Sequence, residues 1–313
     1  MHYTPFPPAH LGLTRFSDIN IKEIVPFIQW KFFFHAWRLN GNYEGIESVC
    51  ECTACQTAWL QQFSNEEREK AKEALTLYRD AREILKNFLE KRTIRINAVC
   101  AFYPAYSENE NIVVNTGEKA LVIPTLRQQH PSNDGFCYSL ADFLAPKDDY
   151  IGFFATTVLG IEELAKHFES KEDTYRAILI KTIGDRLAEA TAEWLHFQIR
   201  TRYWGYQPDE KPDIASLLKN KYQGIRPAVG YPSLPDQSII FDIEPILELN
   251  KTGISLTENG AMFPNSSVCG LYFAHPQAKY FMIGKIDEEQ LNDYAQRRGK
   301  SKEEIKKWLI SNL

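Results

Sequence analysis

The chain has 313 residues, 44% of them apolar and 25% charged, the composition of a globular protein with material for a substantial core. Its net charge of −5 excludes the overall basic footprint of a nucleic-acid binder. No apolar run approaches a membrane span, and the opening MHYTPFPPAHLGLTRF lacks the basic start and continuous apolar stretch of a signal peptide. Six cysteines in a chain of this length do not suggest a disulfide scaffold. The expectation is a cytoplasmic protein without nucleic-acid or membrane partners.

Residues 1–19 carry Pro5, Pro7 and Pro8 and little periodicity, so they read as an extended arm leading into one domain over 20–313. From Ile21 to Leu39 the sequence IKEIVPFIQWKFFFHAWRL predicts a buried helix with Pro26 in its early turns. A loop with three cysteines follows. Ser64 and Glu67 have capping-box spacing, which predicts a helix from Ser64 to about Lys91 with an apolar stripe of Ala71, Leu75, Tyr78, Ile84, Leu85 and Phe88.

Strands are expected at Ile94–Tyr106, 111–115 and 119–126, with a turn at Asn115–Gly117. DYIGFFATT, near 149–157, is apolar almost throughout and predicts a buried strand. Glu172 to about Tyr203 reads as one long helix, its acidic start and Arg-rich end matching the helix dipole. After a polar segment with Pro208 and Pro212, a short helix is expected near 214–220 and another near 242–250, stopping at Gly253. SVCGLYFAH (267–275) and KYFMIGKI (279–286) read as a hairpin. Two helices close the chain, one from Asp287 to Gly299 and one from Ser301. Sequential, hairpin-linked strands between helices predict an α+β fold with an antiparallel sheet.

No GxGxxG, Walker loop, GxSxG or HExxH is present. A common parallel-sheet methyltransferase would show a glycine-rich turn after its first strand, and this chain does not. The segment RPAVGYP, Arg226–Pro232, combines two prolines and a glycine in a stiff backbone with few amide donors. Arg226 can fork onto a ligand carboxylate or sit in an internal salt bridge. Glu189 and Glu193, four apart on the long helix, share a face. They can serve an ammonium or ribose hydroxyls, or simply face solvent. Cys50, Cys52 and Cys55 form C-E-C-T-A-C. Such close thiolates can hold zinc or an iron–sulfur cluster with a fourth ligand from elsewhere, or stay free. The spacing is not the CxxxCxxC of radical AdoMet enzymes. His35, His130, His196 and His275 have no paired ligand spacing and read as structural.

Five stretches together resemble the C-terminal activation domain of cobalamin-dependent methionine synthase: LADFLAPKDDYIGFFATT, DRLAEATAEWLHFQIRTRYWGY, NKYQGIRPAVGYPSLPD, LTENGAMFPNSSVCGLYFAHPQAKYF and DYAQRRGKSKEEIKKWL. The resemblance runs from about residue 20 to the end. It implies a curved antiparallel sheet flanked by helices, with S-adenosyl-L-methionine (AdoMet) held in a shallow groove. It also implies a role in reactivation: cob(I)alamin oxidised to cob(II)alamin regains an electron from flavodoxin or a related reductase, and irreversible methyl transfer from AdoMet draws that reduction forward.

By this resemblance Arg226 and Ala228 contact AdoMet, Tyr231 lies near the cobalamin face, Glu189 faces the ligand, and Tyr280 matches the first tyrosine of the family's KYY. Two positions depart. Gln29, in FIQW, replaces an aspartate of a YIDW-like context, and Phe281 replaces the second tyrosine. The substrate and cobalamin-binding domains that precede this domain in the full enzyme do not precede it here. The expectation is therefore a split protein acting in trans on a cobalamin-bearing chain, with an excised domain as the alternative. A rival reading is a non-catalytic AdoMet-sensing or docking protein that kept the fold.

Overall fold

The computed structural model describes residues 3–117, 119–211, 213–217 and 219–313. The arm feeds directly into the sheet as β1 (Gly12–Phe16), followed by α1 (Ile21–Ile24), α2 (Trp30–Ala36), α3 (Thr53–Leu60) and the long α4 (Asn65–Lys91). Next come β2 (Arg95–Glu108), β3 (Asn111–Asn115), β4 (Ala120–Pro124) and β5 (Asp149–Leu159). Three helices follow, α5 (Ile161–Glu169), α6 (Thr174–Gln198) and α7 (Ile214–Leu217). Then come α8 (Ile240–Leu247), α9 (Leu249–Thr252), the short pair β6 (Ser255–Leu256) and β7 (Met262–Phe263), and β8 (Ser267–Tyr272). The chain closes with α10 (Glu288–Arg298) and α11 (Lys302–Trp308).

The main sheet is six-stranded and open, in the order β4-β3-β2-β5-β8 with β1 also on β2, and every pairing is antiparallel. β2 is long enough for one edge to take β1 along Ala98–Phe102 and β3 along Ala105–Glu108, while its other edge takes β5. The period of two sorts its side chains between two cores. Ile96, Ala98, Cys100 and Phe102 face α4 and α6, whereas Val99, Ala101 and Ala105 face α8 and α9. β5 splits the same way, with Phe154 and Val158 on one face and Ile151, Phe153 and Ala155 on the other. Both faces are covered, which is why this strand reads as apolar almost throughout. A third cluster, including Leu291, Tyr294 and Ile305, holds α10 and α11.

Local signals account for several boundaries. Ser64 and Glu67 form the reciprocal capping box at the start of α4. The Asp173 side chain caps α6, which begins two residues later than Glu172 and ends in a single π turn at Ile199–Tyr203. The expected helix near 214–220 is seen as Ile214–Leu217; Pro212 and Leu218 lie outside the described residues. The helix near 242–250 begins at Ile240 and is interrupted at Glu248, which has φ 48°.

Two expected elements differ. The segment Ile21–Leu39 is not one helix. After a 3-10 turn at Val25–Phe27, Ile28 is extended and Gln29, at φ −84°, ψ 89°, stands at the N-cap position of a fresh helix without a side-chain cap. The expected hairpin of 267–275 with 279–286 does not form, because both edges of β8 are taken. β5 occupies one, and on the other Ile225 and Phe273 exchange backbone hydrogen bonds of 3.0 Å while Val229 N–H donates to Cys269 O at 2.9 Å. Residues 279–286 instead tie to loops, with Ile283 N–H donating to Pro232 O and Ile286 N–H to Asn312 O. No helix of the described residues is long and apolar enough to cross a membrane.

Candidate functional site

RPAVGYP is the edge of the sheet in all but regularity. Pro227 has no amide to donate, and at an edge position none is required; its carbonyl accepts from Leu271 N–H at 3.0 Å. Ala228 lies opposite Gly270. The glycine is what permits the approach, because a Cβ at 270 would overlap the Pro227 carbonyl oxygen and stand 2.8 Å from Ala228 Cα. Gly230, at φ 83°, then turns the chain, and its N–H closes on Leu234 O at 2.9 Å.

The stretch borders a cleft of about 450 Å³. α6 supplies one wall through Arg186, Glu189, Ala190 and Glu193, which recur on one face of the helix. The break at Gln29 brings Phe27, Gln29 and Phe32 to another wall, and Tyr280 and Phe281 close the rim. The cleft therefore brings together Gln29, Glu189, Arg226, Ala228, Tyr231, Tyr280 and Phe281, every residue that the sequence singled out for ligand or cobalamin contact. Cys50, Cys52 and Cys55 are not among its lining; they cluster separately, exposed, at the start of α3.

Its electrostatics rest on paired charges. From Leu187 to His196 only Glu189 escapes full burial, so Glu193 sits within the packed helix. Glu193 Oε2 accepts from Arg226 Nη2 at 2.6 Å, with the side chains 2% and 14% exposed. Burial opposes the charge of Arg226, but the Glu193 carboxylate outweighs it and holds the guanidinium protonated, well above its ordinary range. The internal salt bridge is thus real, and the arginine still lines the cleft. Arg226 N–H donates to the Tyr280 hydroxyl at 3.0 Å. The Tyr231 hydroxyl donates to Glu189 Oε1 at 2.8 Å; burial and that carboxylate push its pKa up to about 12, so it stays a neutral phenol.

Beneath Arg226, His196 stacks on Tyr272 at 5.1 Å between ring centroids. Full burial, with Arg200 and Arg226 nearby, holds its pKa well below the usual histidine range, so it is neutral. Sequence reasoning noted Glu193 but did not pair it with Arg226, since the two are 33 residues apart. The only sequence signal for its role was an acidic residue amid a run of buried ones. Asn220 and Arg186, also in the lining, carried no signal.

Two buried polar atoms of this wall, Arg226 Nε and Glu193 Oε1, have no partner among the described residues. Unsatisfied groups beside a cleft invite a ligand with complementary donors and acceptors. An open antiparallel sheet with both faces covered, bearing a cleft of mixed charge and aromatic rim, defines an α+β module with a candidate small-molecule site. The chain belongs to the family of vitamin B12-dependent methionine synthase activation domains, whose model matches residues 20–299. A solved structure, the MetH reactivation domain bound to AdoHcy, is similar over 99% of this chain and 93% of its own, at 37% identity and a TM-score of 0.88.

Proposed function

We propose that the cleft binds S-adenosylmethionine and presents its sulfonium methyl to cobalamin carried by a separate domain or chain, as the reactivation module of cobalamin-dependent methionine synthase. The observation that carries this reading is the meeting of Gln29, Glu189, Arg226, Ala228, Tyr231, Tyr280 and Phe281 around one cleft, in a chain of this family. An amino-acid ligand with a planar base fits what these residues offer. Arg226, steadied by Glu193, forks onto its carboxylate, and Glu189 takes its ammonium group. The Ala228 backbone and the Tyr280 and Phe281 rim border the rest. Tyr231, half exposed at the mouth, stands where the reacting partner docks.

Cobalamin, when bound by its own domain and reduced, supplies the nucleophile. This chain has little acid–base work to do, because a sulfonium is already a good leaving group. Its contribution is to hold the methyl in line and to exclude water, which is catalysis by positioning. The electron comes from flavodoxin or a similar reductase, and the setting is the cytoplasm, in keeping with six unpaired cysteines.

Titration calorimetry with AdoMet and AdoHcy tests the binding; no heat at millimolar ligand refutes it. Reactivation of an oxidised methionine synthase core by this chain, AdoMet and a reductant tests the activity. Gln29 and Phe281 favour a second reading, a sensing or docking protein, which predicts AdoMet binding without reactivation.

A further inference from the structure

Cys50, Cys52 and Cys55 are all exposed, and their Sγ atoms lie within 4.8 Å of one another. Cys50 and Cys52 approach to 3.0 Å between sulfurs. Cys52 occupies the N-cap of α3, where its sulfur takes the place of the usual serine or aspartate oxygen and accepts from Cys55 N–H at 3.3 Å. In a CxxC turn, an amide aimed from the second cysteine at the first sulfur folds the two thiols to one side. Such a donor also compensates the negative charge that a thiolate carries as a ligand. Cys50 brings a third sulfur to the same side from the preceding loop.

That loop is anchored at both ends. Trp59, on α3, is buried, donates from Nε1 to Glu44 O at 3.1 Å and packs edge-on against Phe63. Gln56 Nε2 donates to Glu51 O at 3.0 Å, joining the first turn of α3 to the residue between Cys50 and Cys52. The three thiols are therefore presented by a braced turn.

Around a tetrahedral zinc ion with Zn–S near 2.3 Å, sulfurs lie roughly 3.8 Å apart, so these three need shifts of less than about an ångström. An iron–sulfur cluster spreads its cysteines over different irons, which three sulfurs converging on one point do not suit. We propose that Cys50, Cys52 and Cys55 bind one zinc ion as thiolates and leave its fourth position to water or an external donor. Three S–Zn bonds form as three thiol protons leave to solvent. No electron is transferred, and the site ends with a net charge of −1.

The test uses the reduced full chain, freed of any affinity tag and handled anaerobically. Metal analysis after exposure to zinc, and cobalt substitution, are expected to give one equivalent. Cobalt should show thiolate charge-transfer absorption with the strong visible bands of a tetrahedral site. The triple variant Cys50→Ser, Cys52→Ser, Cys55→Ser should lose the metal and each single variant weaken it by at least about tenfold. Cys137→Ser, a half-buried thiol outside the cluster, should keep it. The absence of stoichiometric metal in the unmodified chain, or its retention in the triple variant, overturns the proposal. Should the triple variant fail to fold, the single variants and the cobalt spectrum of the unmodified chain decide. AdoMet affinity is expected to be unchanged in the single variants, so this proposal and the proposed function fail separately.

Discussion

Arg226→Ala isolates the buried pair at the heart of the cleft. The substitution removes the partner of a carboxylate that is 2% exposed and whose second oxygen has no partner among the described residues. Breaking a buried ion pair from one side costs about 3–5 kcal/mol. Because the guanidinium side opens to the cleft and water can enter in its place, the lower end applies, about 3 kcal/mol. At about 2 °C per kcal/mol for a chain of this size, that is a fall of roughly 6 °C in Tm. Urea unfolding followed by tryptophan fluorescence reads the loss. Adding Glu193→Gln to Arg226→Ala removes the stranded charge and should recover about 2 kcal/mol, a coupling that the double-mutant cycle measures directly. The restabilised double variant still lacks the fork. Its AdoMet affinity should therefore stay down by at least about tenfold, in line with the 1.5–3 kcal/mol of a charged hydrogen bond. Arg226→Ala within about 1 kcal/mol of the parent, the cost of an ordinary point substitution, or no recovery in the double variant, would refute the argument.

Gln29→Asp should raise AdoMet affinity by about five- to thirtyfold in calorimetry, the equivalent of 1–2 kcal/mol, and should not lower Tm, because aspartate is a better N-cap for α2 than glutamine. Tyr231→Phe removes the hydroxyl that donates to Glu189; unfolding should shift by less than about 1 kcal/mol while the reactivation yield falls, and an unchanged yield counts against a role at the reacting face. His196 has a folded pKa below its unfolded value, so below about pH 6.5 the unfolded chain binds a proton that the native chain does not. Stability is intact above that pH and falls as pH drops, by about 1.4 kcal/mol per unit for each such histidine. His275 acts in the same direction, and His196→Gln should reduce the slope of urea stability between about pH 5 and 6.5, set by the ordinary histidine pKa; an unaltered slope would show that His196 is not the titrating group.

The strands of the main sheet other than β1, and the caps of α4, α10 and α11, were legible because they depend on neighbours in sequence. Ser64 with Glu67 and the alternation of β2 required nothing remote. The cleft residues were legible through RPAVGYP and the family resemblance, and they do converge. What was hidden depends on partners brought from afar. Pro26 is tolerated in a first turn, so nothing local announces that the helix restarts at Gln29. The 279–286 segment has strand-like residues, but the edge it would use belongs to Ile225–Val229. The strand in the N-terminal arm exists because β2 leaves an edge free along Ala98–Phe102, which proline content could not reveal. Glu193 looked like a helix-face carboxylate and is instead the counter-ion that fixes Arg226.

Gly270 belongs to a different kind of position from the residues of the cleft rim, which can drift. It does not line the cleft, yet its missing side chain lets Pro227 and Ala228 rest on β8. Changes at rim residues such as Gln29 or Phe281 retune a ligand's fit one contact at a time. Any side chain at 270 would displace the whole wall, with Arg226 and Tyr231 moving together. A programme to alter ligand preference would therefore diversify the rim freely and hold Gly270 constant. A survey of tolerated substitutions should find this remote glycine as intolerant of change as any residue that faces the ligand.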